Sequence, residues 1–67
     1  MDIPKKFGQA VRKRRQQLGL SQEVFAEKAD IHRTYVSDIE LGKVEVSLRV
    51  AGKIAKALKI GLGQLVK

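Results

Sequence analysis

The connection "ADIH", residues 29–32, constrains the fold of this chain more than any other feature. A helical segment lies on either side of it. Ser21 is a good N-cap for a short helix from Gln22 to about Lys28, with Phe25 and Ala26 facing inward. A second segment runs from about Arg33 to Leu41 and is closed by Gly42. Its inward stripe is Val36 and Ile39, and Ile31 packs just before it. Two short helices on so tight a connection must cross steeply, and the crossing needs a small side chain where they touch. Ala26 supplies it. Asp30 takes the turn position, where Gly is more usual, because Asp tolerates left-handed geometry better than most residues with a side chain.

Helix signals fill the rest of the chain, and strand signals are nearly absent. Pro4 suits the start of a helix, since a Pro in the first turn loses no hydrogen bond. Phe7, Ala10, Val11 and Leu18 follow helical spacing up to the stop at Gly19, and "RKRR" (Arg12 to Arg15) sets four cations on one turn between them. Ser47 is the N-cap of a helix to about Lys59, with Leu48, Ala51, Ile54, Ala55 and Leu58 as its apolar stripe. The tail "IGLGQLVK" adds one more short turn of helix, with Gly61 as a cap. The expected fold class is all-α: a single domain over residues 1–67, built as a compact bundle of about five short helices around a steeply crossed pair.

Composition narrows the function. A chain of 67 residues has a limited core, and without Cys no disulfide supports it, which fits a reducing, cytosolic setting. Apolar runs are short, so neither a membrane span nor a signal peptide is expected. His32 is the one histidine; with no Cys and no second His, neither a metal nor a cofactor is expected. No Gly-rich phosphate cradle and no paired carboxylates point to an enzyme. The net charge of +7 attracts polyanions, nucleic acid first and anionic membrane second. Membrane binding fits less well, because Arg12 to Arg15 lack the broad Trp/Phe/Leu face of interfacial helices. Arg12, Lys13 and Arg14 look like a nucleic-acid patch, but the preferred reading is a solvated face that supplies long-range attraction only.

The stretch "LSQEVFAEKADIHRTYVSDIELGK", followed by "SLRVAGKIAKAL", resembles the phage repressor/Cro class of helix-turn-helix proteins, the Xre family. The similarity covers about Phe7 to Val66. "HRTYVSDIE", then a Gly and later "SL…KIAKAL", is most similar to the controller proteins of restriction–modification systems. The chain departs from the family pattern at Asp30, Ala51, Gly52, Gly61 and Gly63.

The resemblance implies that helix 33–41 lies in the major groove of double-stranded DNA, with Arg33, Thr34, Ser37 and Asp38 as the residues that read bases. Helical spacing independently sends these four outward when Val36 and Ile39 point inward. Arg33 can grip guanine O6 and N7, and Thr34 can meet a thymine methyl. Ser37 is short enough to let the helix sit deep. Asp38, which phosphates repel, fits by accepting from a cytosine N4 amine or by fixing a neighbouring donor such as Thr34. Without the resemblance, a solvated helix face is the competing reading.

Phosphate contacts are expected from Ser21 and Gln22, which open a helix whose free N–H groups suit an anion, with Gln22 placed on the DNA backbone by the resemblance. Lys43, Ser47 and Arg49 flank the other side, and Tyr35 is divided between a phosphate bond and the core. His32 is a helix cap or one further phosphate donor. The resemblance also implies a buried structural ion pair between Arg15 and Glu40.

One helix reading three or four base pairs cannot single out a site, whereas two held one DNA turn apart (~34 Å) can. A homodimer on a pseudo-palindromic operator is therefore expected, with Val50, Ile54, Leu62, Leu65 and Val66 as its interface; alternatively Leu62 and Leu65 close the core. No residues are left for sensing a small-molecule effector. The expected function is a cytoplasmic, nucleoid-associated transcriptional regulator of bacterial, phage or plasmid origin. A protein-interaction or antitoxin-like helix-turn-helix module is the alternative.

Overall fold

The computed structural model describes residues 2–65. Among them five α-helices follow one another: α1 (Ile3–Gln17), α2 (Gln22–Ala29), α3 (Arg33–Glu40), α4 (Leu48–Ala57) and α5 (Leu62–Leu65). A side chain takes up an otherwise orphaned N–H at the start of each of the first four. Asp2 Oδ1 accepts from Lys5 N at 3.1 Å, and Ser21 Oγ from Val24 N at 3.0 Å. His32 Nδ1 accepts from Thr34 N at 3.0 Å, and Ser47 Oγ from Val50 N at 3.2 Å. Caps of this kind typically contribute about 1 kcal/mol each.

The ends are as well defined. Asp30 closes α2 in the left-handed region (φ 57°, ψ 47°), and Ile31 N donates to Ala26 O at 3.0 Å across the turn. Helix α3 stops at Glu40 with Leu41 as its C-cap, and Gly42 turns the chain at φ 73°. Helix α4 is shorter than the sequence indicates: Leu58 caps it, and Lys59 leaves the helix at φ 54°.

Val11, Phe25, Val36, Ile39, Ile54 and Leu58 form the centre of the core, surrounded by Phe7, Ala26, Ala29, Ala51, Ala55 and Leu65. Ala26 and Ala29 are the small buried residues of α2, the helix that packs on both α3 and α4. At Gly8, α1 lies directly against the end of α3. A Cβ there would collide with the carbonyl oxygen of Ile39 and stand 2.9 Å from that of Glu40.

Burial corrects the apolar assignments in three places. Ile54 is fully buried and Leu65 is 2% exposed, so both fill the core and neither is available to a dimer interface. Leu48, assigned to the inward stripe of α4, is the first residue of that helix and is 80% exposed. Val50 and Leu62 are half-buried against the core. Val66 lies outside the described residues. No helix among the described residues is long and apolar enough to cross a membrane.

Candidate nucleic-acid interface

Helix α3 has two faces because its apolar residues recur at helical spacing. Val36 and Ile39 are buried, and that rotation turns Arg33 and Thr34 out at the first turn, with Ser37 and Asp38 half-exposed one turn later. Tyr35 packs half-buried on the core. The four expected base-reading residues therefore share one outward surface. Arg33 is already engaged there: its Nη1 donates to Glu23 Oε2 at 3.4 Å, with the two side chains 65% and 74% exposed. Such an open pair adds little stability. What it does is hold the guanidinium near the first turn of α2.

The residues expected to contact phosphate differ in what their side chains already bond. Ser21 and Ser47 use their hydroxyl oxygens as cap acceptors, which leaves each O–H proton free to donate outward. Lys43 and Arg49 are exposed. His32 accepts at Nδ1, so a neutral ring carries its proton on Nε2. Gln22 differs from expectation: it is half-buried, and its Nε2 donates to Glu40 Oε1 at 3.2 Å. Its side-chain amide belongs to an internal network.

That network centres on Arg15 and Glu40. Arg15 Nε donates to Oε2 at 2.7 Å and Nη2 to Oε1 at 3.0 Å, while Nη1 donates to the carbonyl oxygen of Leu20 at 2.8 Å. The side chains are 11% and 3% exposed. One guanidinium thus ties the end of α1 to the α1–α2 connection and to the end of α3, and Gln22 brings in the start of α2. Arg14 also departs from the solvated face expected of it. Its Nε donates to Leu58 O at 3.0 Å and Nη2 to Lys59 O at 3.4 Å, capping α4 from across the fold. Arg12 and Lys13 remain exposed.

The helix-turn-helix family model matches residues 11–65. The chain is similar to the control protein C.BamHI of Bacillus amyloliquefaciens, with 51% identity over 55 residues, which is 81% of this chain and 68% of that protein. It is 46% identical over 65 residues to the control protein C.MunI of a Mycoplasma species, covering 96% of this chain and 88% of that one. In three dimensions it resembles the restriction–modification controller protein C.AhdI of Aeromonas hydrophila, with a TM-score of 0.90 and 42% identity, over 92% of this chain and 94% of that one. The chain belongs to the helix-turn-helix family and groups with its control proteins. In this helix-turn-helix chain α2, the Asp30 turn and α3 form the motif, and Arg15 reaches it from outside. Glu23 and Gly8 escaped the sequence reading for different reasons. Glu23 and Arg33 stand ten positions apart on different helices, so no local periodicity links them. Gly8 did carry a signal, because a glycine inside a helical pattern marks either a weakness or a close approach.

Proposed function

We propose that this chain is a homodimeric transcriptional regulator that reads a pseudo-palindromic operator in double-stranded DNA through α3, in the control of a restriction–modification system. The observation that carries the reading is the outward row Arg33, Thr34, Ser37 and Asp38 on α3, opposite its buried Val36 and Ile39. In this arrangement Arg33 grips guanine O6 and N7, Thr34 meets a thymine methyl, and Asp38 accepts from cytosine N4. The starts of α2 and α4, with Lys43 and Arg49, hold phosphates on either side and set affinity without reading sequence.

A dimer fits this reading, because each copy carries a single α3 and so serves one half-site. The similar proteins are named control or controller proteins, which fits a regulator rather than an enzyme.

Selection of bound duplexes from a random pool, followed by a salt titration on the winner, tests the proposal. The expected result is an inverted repeat with half-sites about one turn apart, bound far more tightly than random DNA. No enrichment, with weak binding abolished by moderate salt, would overturn it and favour a protein-interaction module.

A further inference from the structure

A cleft of about 370 Å³ opens between the C-terminal ends of α2 and α4. Four exposed lysines line it: Lys28 from α2, Lys53 and Lys56 from α4, and Lys59 from the turn that follows. The lining holds one carboxylate, Asp30, whose Oδ2 stands 3.7 Å from Lys53 Nζ in an open pair of little stability. Lys28, Lys56 and Lys59 form no ion pair among the described residues. Helix polarity accounts for part of this set, since Lys28 and Lys56 lie in last turns, where a cation suits the negative helix end. It leaves the rest unexplained. Arg14 already bonds the carbonyl oxygens of Leu58 and Lys59, and Lys53 stands before the last turn. Lys53 and Lys56, three apart on one helix, repel each other, so folding alone gains nothing from the set.

Resting on the DNA-reading role of α3, we propose that this cleft binds the sugar–phosphate backbone of a second segment of duplex DNA while α3 holds the first. Charge requires an anion, and the make-up of the cleft favours this one. A small phosphate ligand calls for fixed donors, such as a nest of backbone N–H groups or an Arg fork, and the lining has neither. An acidic protein surface would dock on a large buried anchor, whereas the apolar part of the lining is Ala29 and Ala57. Flexible ammonium groups suit a polyanion, because the gain comes from released counterions and needs no fixed geometry. Contacts of this kind hold a backbone without reading its sequence. Position keeps the two surfaces apart. The expected phosphate contacts open α2 and α4, and the cleft lies at the other ends of these helices, about 12 and 15 Å along their axes. None of the expected base or phosphate contacts lines it, so one copy can bridge two segments.

Capture of a labelled random duplex by the full chain, saturated on bead-bound operator, tests this, with circular dichroism confirming that each variant is folded. The double variant Lys53→Gln with Lys56→Gln should lower capture about tenfold and change operator affinity far less. Arg12→Gln with Lys13→Gln removes the same charge from exposed positions outside the cleft, and should leave capture within about twofold. Equal losses in the two double variants would mean general attraction and overturn the cleft. So would a wild-type complex that captures no second duplex, either separate or, on an operator with long flanks, within the same molecule. Compaction of the long-flanked operator that the cleft variant loses identifies the second segment as part of the same DNA; capture of the separate duplex identifies another molecule. A wild-type chain that prefers no sequence overturns the reading role of α3 instead. The cleft is then judged on random duplex alone, where the Ala29 and Ala57 amide resonances must shift in the wild type and stay in place in the cleft variant.

Discussion

Arg15 and Glu40, twenty-five residues apart, meet in a buried two-point pair of 2.7 and 3.0 Å. The pair joins the end of α1 to the end of α3, and so fixes how the reading helix is presented. Removing either partner strands a buried charge, which typically costs about 3–5 kcal/mol. Arg15→Ala or Glu40→Ala should therefore approach complete unfolding in a domain this small. Replacing both by Met and Leu should cost much less, because no charge is then left unpaired. Urea denaturation of the two single variants and the double variant checks the ordering. A double variant as unstable as the singles would show that packing, and not the stranded charge, sets the loss.

Gly8 and Gly52 form an internal comparison. Both lie within helices, where Ala normally gains roughly 0.5–1 kcal/mol over Gly. A methyl at Gly52 meets nothing within 4 Å, whereas at Gly8 it strikes the last carbonyls of α3. Gly52→Ala should raise the melting temperature by several degrees, about 4–8 °C per kcal/mol in a domain of this size. Gly8→Ala should lower it despite the better propensity, with a loss of about 1–3 kcal/mol from forced separation of α1 and α3. Thermal unfolding of the pair decides, and equal shifts would contradict the close packing.

What could be read from the sequence, and what could not, follows from the range of the forces involved. Caps are local, so Ser21 and Ser47 were legible at their helix starts, and so was the left-handed turn at Asp30. Helical period showed which way Val36 and Ile39 point, and hence that Arg33, Thr34, Ser37 and Asp38 point away. Period does not show what covers a face. Leu48 shares the stripe of Ala51 and Leu58 yet stands in the open, whereas Ile54, placed both on that stripe and at an interface, and Leu65, divided between interface and core, are inside. Contacts between distant segments left no trace in spacing. The Gln22 amide on Glu40, the Arg14 guanidinium on Leu58 and the Glu23 carboxylate by Arg33 all belong to this group.

Lys59 offers a gain in stability. It sits at φ 54°, where a non-glycine side chain is strained, and its bond with Arg14 uses only the backbone oxygen. Lys59→Gly keeps that bond and should stabilise the chain by roughly 0.5–1 kcal/mol, the relief of strain outweighing the added freedom of the unfolded state. A rise in the urea midpoint at unchanged slope is the expected signature.

Glu23 and Arg33 carry the last prediction, which concerns discrimination between sequences. Arg33→Ala should cost about 1–3 kcal/mol on the selected operator and little on random DNA, since a base-edge contact is lost while phosphate contacts remain. Glu23→Gln acts in the opposite sense on random DNA. It removes a carboxylate from the bound face and frees the guanidinium that it holds at 3.4 Å, so phosphates gain a mobile cation. Binding to random duplexes should tighten and its salt dependence steepen, while operator affinity changes less. The ratio of the two affinities should therefore fall in both variants: through a weaker operator complex in Arg33→Ala, and through a stronger non-specific one in Glu23→Gln. Fluorescence anisotropy on both duplexes at two salt concentrations separates these routes. An unchanged ratio in Glu23→Gln would mean that the pair has no part in selecting the site.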